Sequence, residues 1–102
     1  MAEFVRVAAV GDIPEGQGRM FDVNGHQVAI FNVAGEFHCI DNLCEHQQGP
    51  LGEGELDGCV VTCPWHGWTY DVTNGESPDD PDTRVQCFAL KVEGDEILVA
   101  VD

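Results

Sequence analysis

Two short segments hold the side chains most able to do chemistry. The first, CEHQQGPLG, places Cys44 and His46 two residues apart. The second, CPWHGWTY, places Cys63 and His66 three residues apart. Residues 47 to 62 lie between the pairs, so the pattern is C-x-H-x16-C-x-x-H. Thiolate and imidazole are soft to borderline donors, and four of them in two loops suit a metal centre with tetrahedral ligation. Taken alone, the second segment also reads as a packed aromatic turn that happens to contain Cys63 and His66. Zinc suits the donor types, but zinc-finger spacings usually pair Cys with Cys and His with His. Here each segment offers one of each. That mixing suits a two-iron cluster, with two thiolates on one iron and two imidazoles on the other. Gly49 and Gly67 follow the pairs and can bring backbone N–H groups close to a ligand.

These loops need a frame, and the rest of the chain reads as short strands. Apolar-rich runs predict strands near Phe4–Ala9, Met20–Val23, Gln27–Val33, Glu36–Ile40, Cys59–Thr62, Trp68–Asp71, Val85–Val92 and Glu96–Val101. Asn24-Gly25 is a two-residue hairpin signal. Ala34-Gly35 and Glu93-Gly94-Asp95 read as further hairpin turns. Asn74-Gly75 is a turn that either joins strands or ends one after Val72. No stretch sustains an apolar i, i+3, i+4, i+7 pattern. The expected fold is all-β, an antiparallel sandwich or partial barrel formed by a single domain over residues 1–102. Residues 41–71 have a different character, rich in Cys, His, Gly and Pro, and read as a small site-bearing subdomain inserted into the β framework. Residues 77–82, SPDDPD, cannot form a central strand.

Bulk properties narrow the function classes. With 102 residues, the chain buries roughly two-thirds of its unfolded surface, enough for a core but not for a large active-site cavity as well. Four Lys and Arg stand against 19 Asp and Glu, a formal charge of −15. Such a protein repels nucleic acid and anionic lipid and is steered toward basic partner surfaces. Acidity that only confers solubility is the plainer alternative. No apolar run is long enough to span a membrane. The start, Met-Ala-Glu-Phe, has no basic segment followed by an apolar run, so the expected location is cytoplasmic. Five cysteines, an odd number, with no export signal argue against a disulfide framework and for metal binding or buried thiols. Cys39, Cys59 and Cys87 lie in strand patterns without partners and read as core thiols. His26 and His38 read as structural or surface residues.

The paired motifs CEH and CPWHGW, together with the closing hairpin CFALKVEGDEILVAV, resemble the Rieske [2Fe–2S] proteins. Among these the chain is similar to the small Rieske-type ferredoxins of bacterial ring-hydroxylating oxygenase systems, and the resemblance covers nearly the whole chain. It implies that Cys44 and Cys63 bind one iron and His46 and His66 the other, with the imidazole edges exposed at the tip. It also implies the partners, a flavin-dependent ferredoxin reductase as donor and a terminal oxygenase as acceptor. An electron carrier of this kind has no catalytic site, and the expectation is that the chain hydroxylates nothing alone. Acidity and size point to a monomer. Three other readings stand beside this one: a structural zinc module, the Rieske small subunit of a larger oxidoreductase such as assimilatory nitrite reductase, and a redox sensor, for which no output element is visible.

The resemblance also bears on potential. Two ferric ions, two sulfides and two thiolates sum to a neutral oxidised centre, so histidine ligation raises the potential relative to an all-cysteine cluster. High-potential members carry one extra Cys in each loop, paired as a disulfide, and a Ser hydroxyl near a bridging sulfide. Gly49, Trp65 and Trp68 stand at those positions here, while the matching Tyr is kept as Tyr70. The expected midpoint is therefore toward the low end of the Rieske range, on the order of −150 mV. Trp65 and Trp68 read either as a hydrophobic cover near the cluster or as ordinary core packing, the latter favoured for Trp68. Pro50 and Pro64 stiffen the loops. Pro78 and Pro81 fit a third loop shielding the cluster, or a plain surface turn. Glu45, Glu53, Glu55, Asp57, Asp79, Asp80 and Asp82 are the acidic residues expected around the site.

Overall fold

The computed structural model describes residues 4–23, 25–42, 51–64, 67, 69–78 and 84–100. Among the described residues nine strands follow one another: β1 Val5–Ala9, β2 Gly18–Val23, β3 His26–Val33, β4 Glu36–Asp41, β5 Glu55–Asp57, β6 Val60–Thr62, β7 Thr69–Asp71, β8 Cys87–Glu93 and β9 Glu96–Ala100. Single 3-10 turns occur at Val10–Asp12 and Leu51–Glu53. Among the described residues there is no α-helix. The fold is all-β, as expected, and every strand pairing is antiparallel.

The strands form two sheets. The larger has six strands in the order β1-β9-β8-β4-β3-β2, and the smaller has three in the order β5-β6-β7. The smaller sheet is built from residues 55–71, the stretch that carries the second ligand segment. Strand β3 explains how the two sheets are joined. Side chains alternate across a strand, and both faces of β3 are buried. Val28 and Ile30 point into a core with Ala8, Ile13, Val23, Cys39, Ile97 and Val99. Ala29 and Phe31 point the other way, into a core with Ile40, Leu51, Val61, Cys63, Tyr70, Val72 and Val85. The second core seals the small sheet onto the large one. Each fully buried Val, Leu or Ile there contributes about 1.5–3 kcal/mol, so the base of the site rests on a firm layer.

Several boundaries differ from the sequence reading for identifiable reasons. Strand β5 was not expected. Glu55-Leu56-Asp57 has one apolar residue, and the strand exists because Leu56 pairs with Val61 of β6. Strand β2 starts at Gly18, opposite Phe31, in a stretch of low strand propensity. Strand β8 starts at Cys87, not Val85, because the Val85 N–H donates to the Gly75 carbonyl at 2.8 Å. Asn74-Gly75 closes no strand hairpin. The Gly75 N–H donates to the Asp71 carbonyl at 2.6 Å, which ends β7. The last hairpin turns through two residues, Gly94 and Asp95, since Glu93 pairs with Glu96.

Candidate metal centre

Of the four proposed ligands, Cys63 lies among the described residues; Cys44, His46 and His66 lie outside them, as do Gly49, Trp65 and Trp68. Cys63 immediately follows β6 and is 1% exposed. It shares its core with Leu51, Val61 and Tyr70. The carbonyl of Cys63 accepts the Gly67 N–H at 3.1 Å, and Gly67 has a φ of +74°. Gly67 is therefore bonded back to Cys63. A glycine takes that left-handed conformation without strain.

The first segment is held at both of its ends. Asp41 closes β4, and Asn42 follows it, 2% exposed. On the far side the chain re-enters at Leu51, fully buried. Leu51 lies in the same core as Cys63, so the structure brings the end of the first segment and the start of the second together. Residue types and spacing pointed to the segments; the core that Leu51 and Cys63 share joins their bases. Asn42 and Gly52, which make this junction, escaped the sequence reading. The only hint was a turn-forming Asn two residues ahead of Cys44.

The remaining cysteines fall elsewhere. Cys39 is buried in the core of the large sheet, as expected. Burial pushes its thiol up to about 12, helped by the neighbouring Cys87 and Asp41. Cys59 is half-buried, with its Sγ 3.8 Å from Asp71 Oδ2. Cys87 was read as a core thiol and is instead exposed. Outward and inward positions alternate over the first five residues of β8, and Cys87 takes an outward one. Its thiol is also raised, first by burial of the group and then by Asp71 and Glu76. The thiolate is the metal-binding form, so Cys39 and Cys87 make poor ligands. Among the described residues, no cluster of three or more His, Cys, Asp and Glu could hold a metal ion. His26 is exposed, 3.9 Å from Asp41 and edge-on to Phe88. His38 is half-buried on β4.

The donor set fits a [2Fe–2S] group. Two thiolates and two neutral imidazoles match its charge and softness, and Cys63 sits in a dry, packed position. Around it, Glu53, Glu55 and Asp57 are exposed on and beside β5. Glu45, Asp79, Asp80 and Asp82 lie outside the described residues, as do Pro50 and Pro81. Pro64 and Pro78 are exposed. A groove of about 920 Å³ runs between β2 and β5, lined by Arg19, Met20, Glu53 and Glu55 among others. It is open to solvent, which suits surface contact rather than enclosure of a substrate.

Comparison with known proteins places this arrangement. A family model described as the Rieske [2Fe–2S] domain matches residues 3–89. The ferredoxin component of the alkene monooxygenase system of Xanthobacter autotrophicus is 38% identical over 102 residues, covering 98% of this chain and 83% of its own length. The solved ferredoxin of carbazole 1,9a-dioxygenase from Nocardioides aromaticivorans IC177 superposes with a TM-score of 0.90 at 30% identity, covering 97% of this chain and 98% of that one. A second solved structure is a complex of reduced oxygenase and oxidized ferredoxin in carbazole 1,9a-dioxygenase. Its matching chain gives a TM-score of 0.87 at 31% identity, with 95% of this chain and 92% of that one covered. No helix among the described residues is long and apolar enough to cross a membrane.

Proposed function

The chain belongs to the Rieske [2Fe–2S] domain family, and from that premise we propose that it is the ferredoxin of a multicomponent oxygenase system. It takes one electron at a time from a flavin-dependent ferredoxin reductase and passes it to a terminal oxygenase. The observation that carries this reading is the end-to-end likeness to proteins named as ferredoxin components, at similar length. We assign Cys44 and Cys63 as ligands of one iron and His46 and His66 as ligands of the other. When bound, the cluster supplies one-electron storage at a potential toward the low end of the Rieske range.

The chain's own residues do the rest. The thiolates of Cys44 and Cys63 balance the charge of the centre. The imidazoles of His46 and His66 keep it less negative than four thiolates would and offer an edge for electron entry and exit. Burial of Cys63 among Leu51, Val61 and Tyr70 keeps water from one side. Exposed Glu53, Glu55 and Asp57 give the neighbouring surface a sign that attracts basic partner surfaces. The carrier works as a cytoplasmic monomer in short-lived encounters, as redox contacts are small. The class of oxygenase is set by the acceptor: one relative is a component of an alkene monooxygenase system, another of a carbazole dioxygenase.

Reconstituted electron flow tests the proposal. The loaded protein, added to a ferredoxin reductase and a terminal oxygenase of this type, should support substrate turnover that is absent without it. The Cys63→Ser and His66→Ala variants should not. Turnover by the isolated chain, or an equal rate without it, would contradict the reading.

A further inference from the structure

One side chain closes the base of the first ligand segment. Asn42 Oδ1 accepts the Gly52 N–H at 2.7 Å. The Asn42 carbonyl accepts the Leu51 N–H at 2.6 Å, and the Asn42 N–H donates to Gln27 of β3 at 3.2 Å. The positions that flank residues 43–50 in the chain, Asn42 on one side and Leu51 and Gly52 on the other, are thus bonded to each other twice. The junction has no slack. A Cβ on Gly52 would lie 2.8 Å from the Met20 nitrogen and 2.9 Å from Asn42 Oδ1. A Cβ on Gly54 would collide with the Thr62 carbonyl, and Thr62 is the residue before Cys63. Asn42, Gly52 and Gly54 therefore set the distance between the roots of the two ligand segments.

We propose that Asn42 is a positioning residue for the cluster: its bond to Gly52 fixes the first ligand segment against the second and so governs how firmly the cluster is held. The inference rests on the ligand assignment above. Fixing the two flanking positions before the cluster binds lowers the ordering that binding has to supply. Without Oδ1, the Gly52 N–H is left buried and unpaired, and the base opens. A carboxylate at position 42 still accepts that N–H.

The test compares Asn42→Ala, Asn42→Asp and Asn32→Ala with the wild type. Asn32 is the control for plain destabilisation. It is 6% exposed, and it bonds the Ile13 carbonyl and the Gly35 N–H at the opposite end of β3. Asn42→Ala should release iron to a chelator about tenfold faster than wild type, shift the g values of the reduced protein and speed amide exchange at Gly52. Asn42→Asp should restore wild-type retention and exchange. Asn32→Ala should lower the melting temperature and leave iron release unchanged. Equal release by Asn42→Ala and Asn32→Ala would overturn the proposal, as would unchanged Gly52 exchange in Asn42→Ala. If Asn42→Ala does not fold, Asn42→Asp decides: wild-type retention supports the clamp, and tenfold faster release from a folded Asn42→Asp overturns it. Wild-type protein that binds no iron would instead sink the ligand assignment, and Gly52 exchange in the apoprotein would still test the clamp.

Discussion

Cys63 and Cys39 are both buried thiols, and we assign only Cys63 to the cluster. Cys63 follows the last residue of β6 and is buried in the core that joins the two sheets. Cys39 sits mid-strand, and burial with Cys87 and Asp41 nearby holds its thiol protonated, up to about 12. The sign of the pH dependence follows. Below pH 9, Cys39 is neutral in both folded and unfolded chains. Between about 9 and 12 the unfolded chain loses this proton and the folded one keeps it, so stability falls as pH rises, by on the order of 4 kcal/mol over the window. Cys39→Ala removes this slope. The stability gap between wild-type and Cys39→Ala apoprotein should therefore narrow from pH 9 upward in denaturant titrations. A gap independent of pH would contradict it. At this scale the spacing in the sequence is what sets Cys44 and Cys63 apart from the other thiols as proposed ligands. The sequence reading misjudged Cys87, because a strand pattern does not say which face of its first residue is covered. It also passed over Asn42, whose role is visible only once Gly52 is folded back onto it.

The hairpins were legible because glycine punctuates them, and one of them carries strain. Ala34 and Gly35 form the two-residue turn between β3 and β4, where Val33 pairs with Glu36. Both have positive φ, +51° and +95°, as a type I′ turn requires. The first position favours Asn, and Ala there bears the steric cost of the left-handed region, about 1 kcal/mol. Ala34→Asn should stabilise the protein by about 0.5–1 kcal/mol, read as a higher melting temperature. A lower melting temperature would contradict the assignment of strain. The neighbouring bond from the Gly35 N–H to Asn32 Oδ1, 2.8 Å, is compatible with the change. Glycine alone was not enough: β5 lies between Gly54 and Gly58, yet the hairpin it forms with β6 was missed because the strand has a single apolar residue. Strand β5 and the Leu51–Glu53 turn have no local signal strong enough to stand alone, and both are held by contacts with distant residues. They are also the pieces that seat the first ligand segment, so the frame of the fold was readable where the joint of the site was not.

For the whole molecule, charge sets how partners meet. A formal charge of −15 with few cations makes the surface acidic. Arg6 and Lys91 already face Glu96 and Glu93 at 3.1 and 3.3 Å. An encounter steered by such a field weakens as salt screens it. Electron-transfer rates to the oxygenase should fall severalfold between about 0.01 M and 0.15 M ionic strength, as the screening length drops from about 30 to 8 Å. A rate flat in salt would leave acidity with a role in solubility alone. The central claim is that the four Cys and His side chains hold a two-iron cluster. Electron paramagnetic resonance of the chemically reduced protein tests it most directly. The account predicts a brown protein whose reduced form gives a signal with an average g below the free-electron value. A colourless protein with stoichiometric zinc, no iron and no such signal would contradict it.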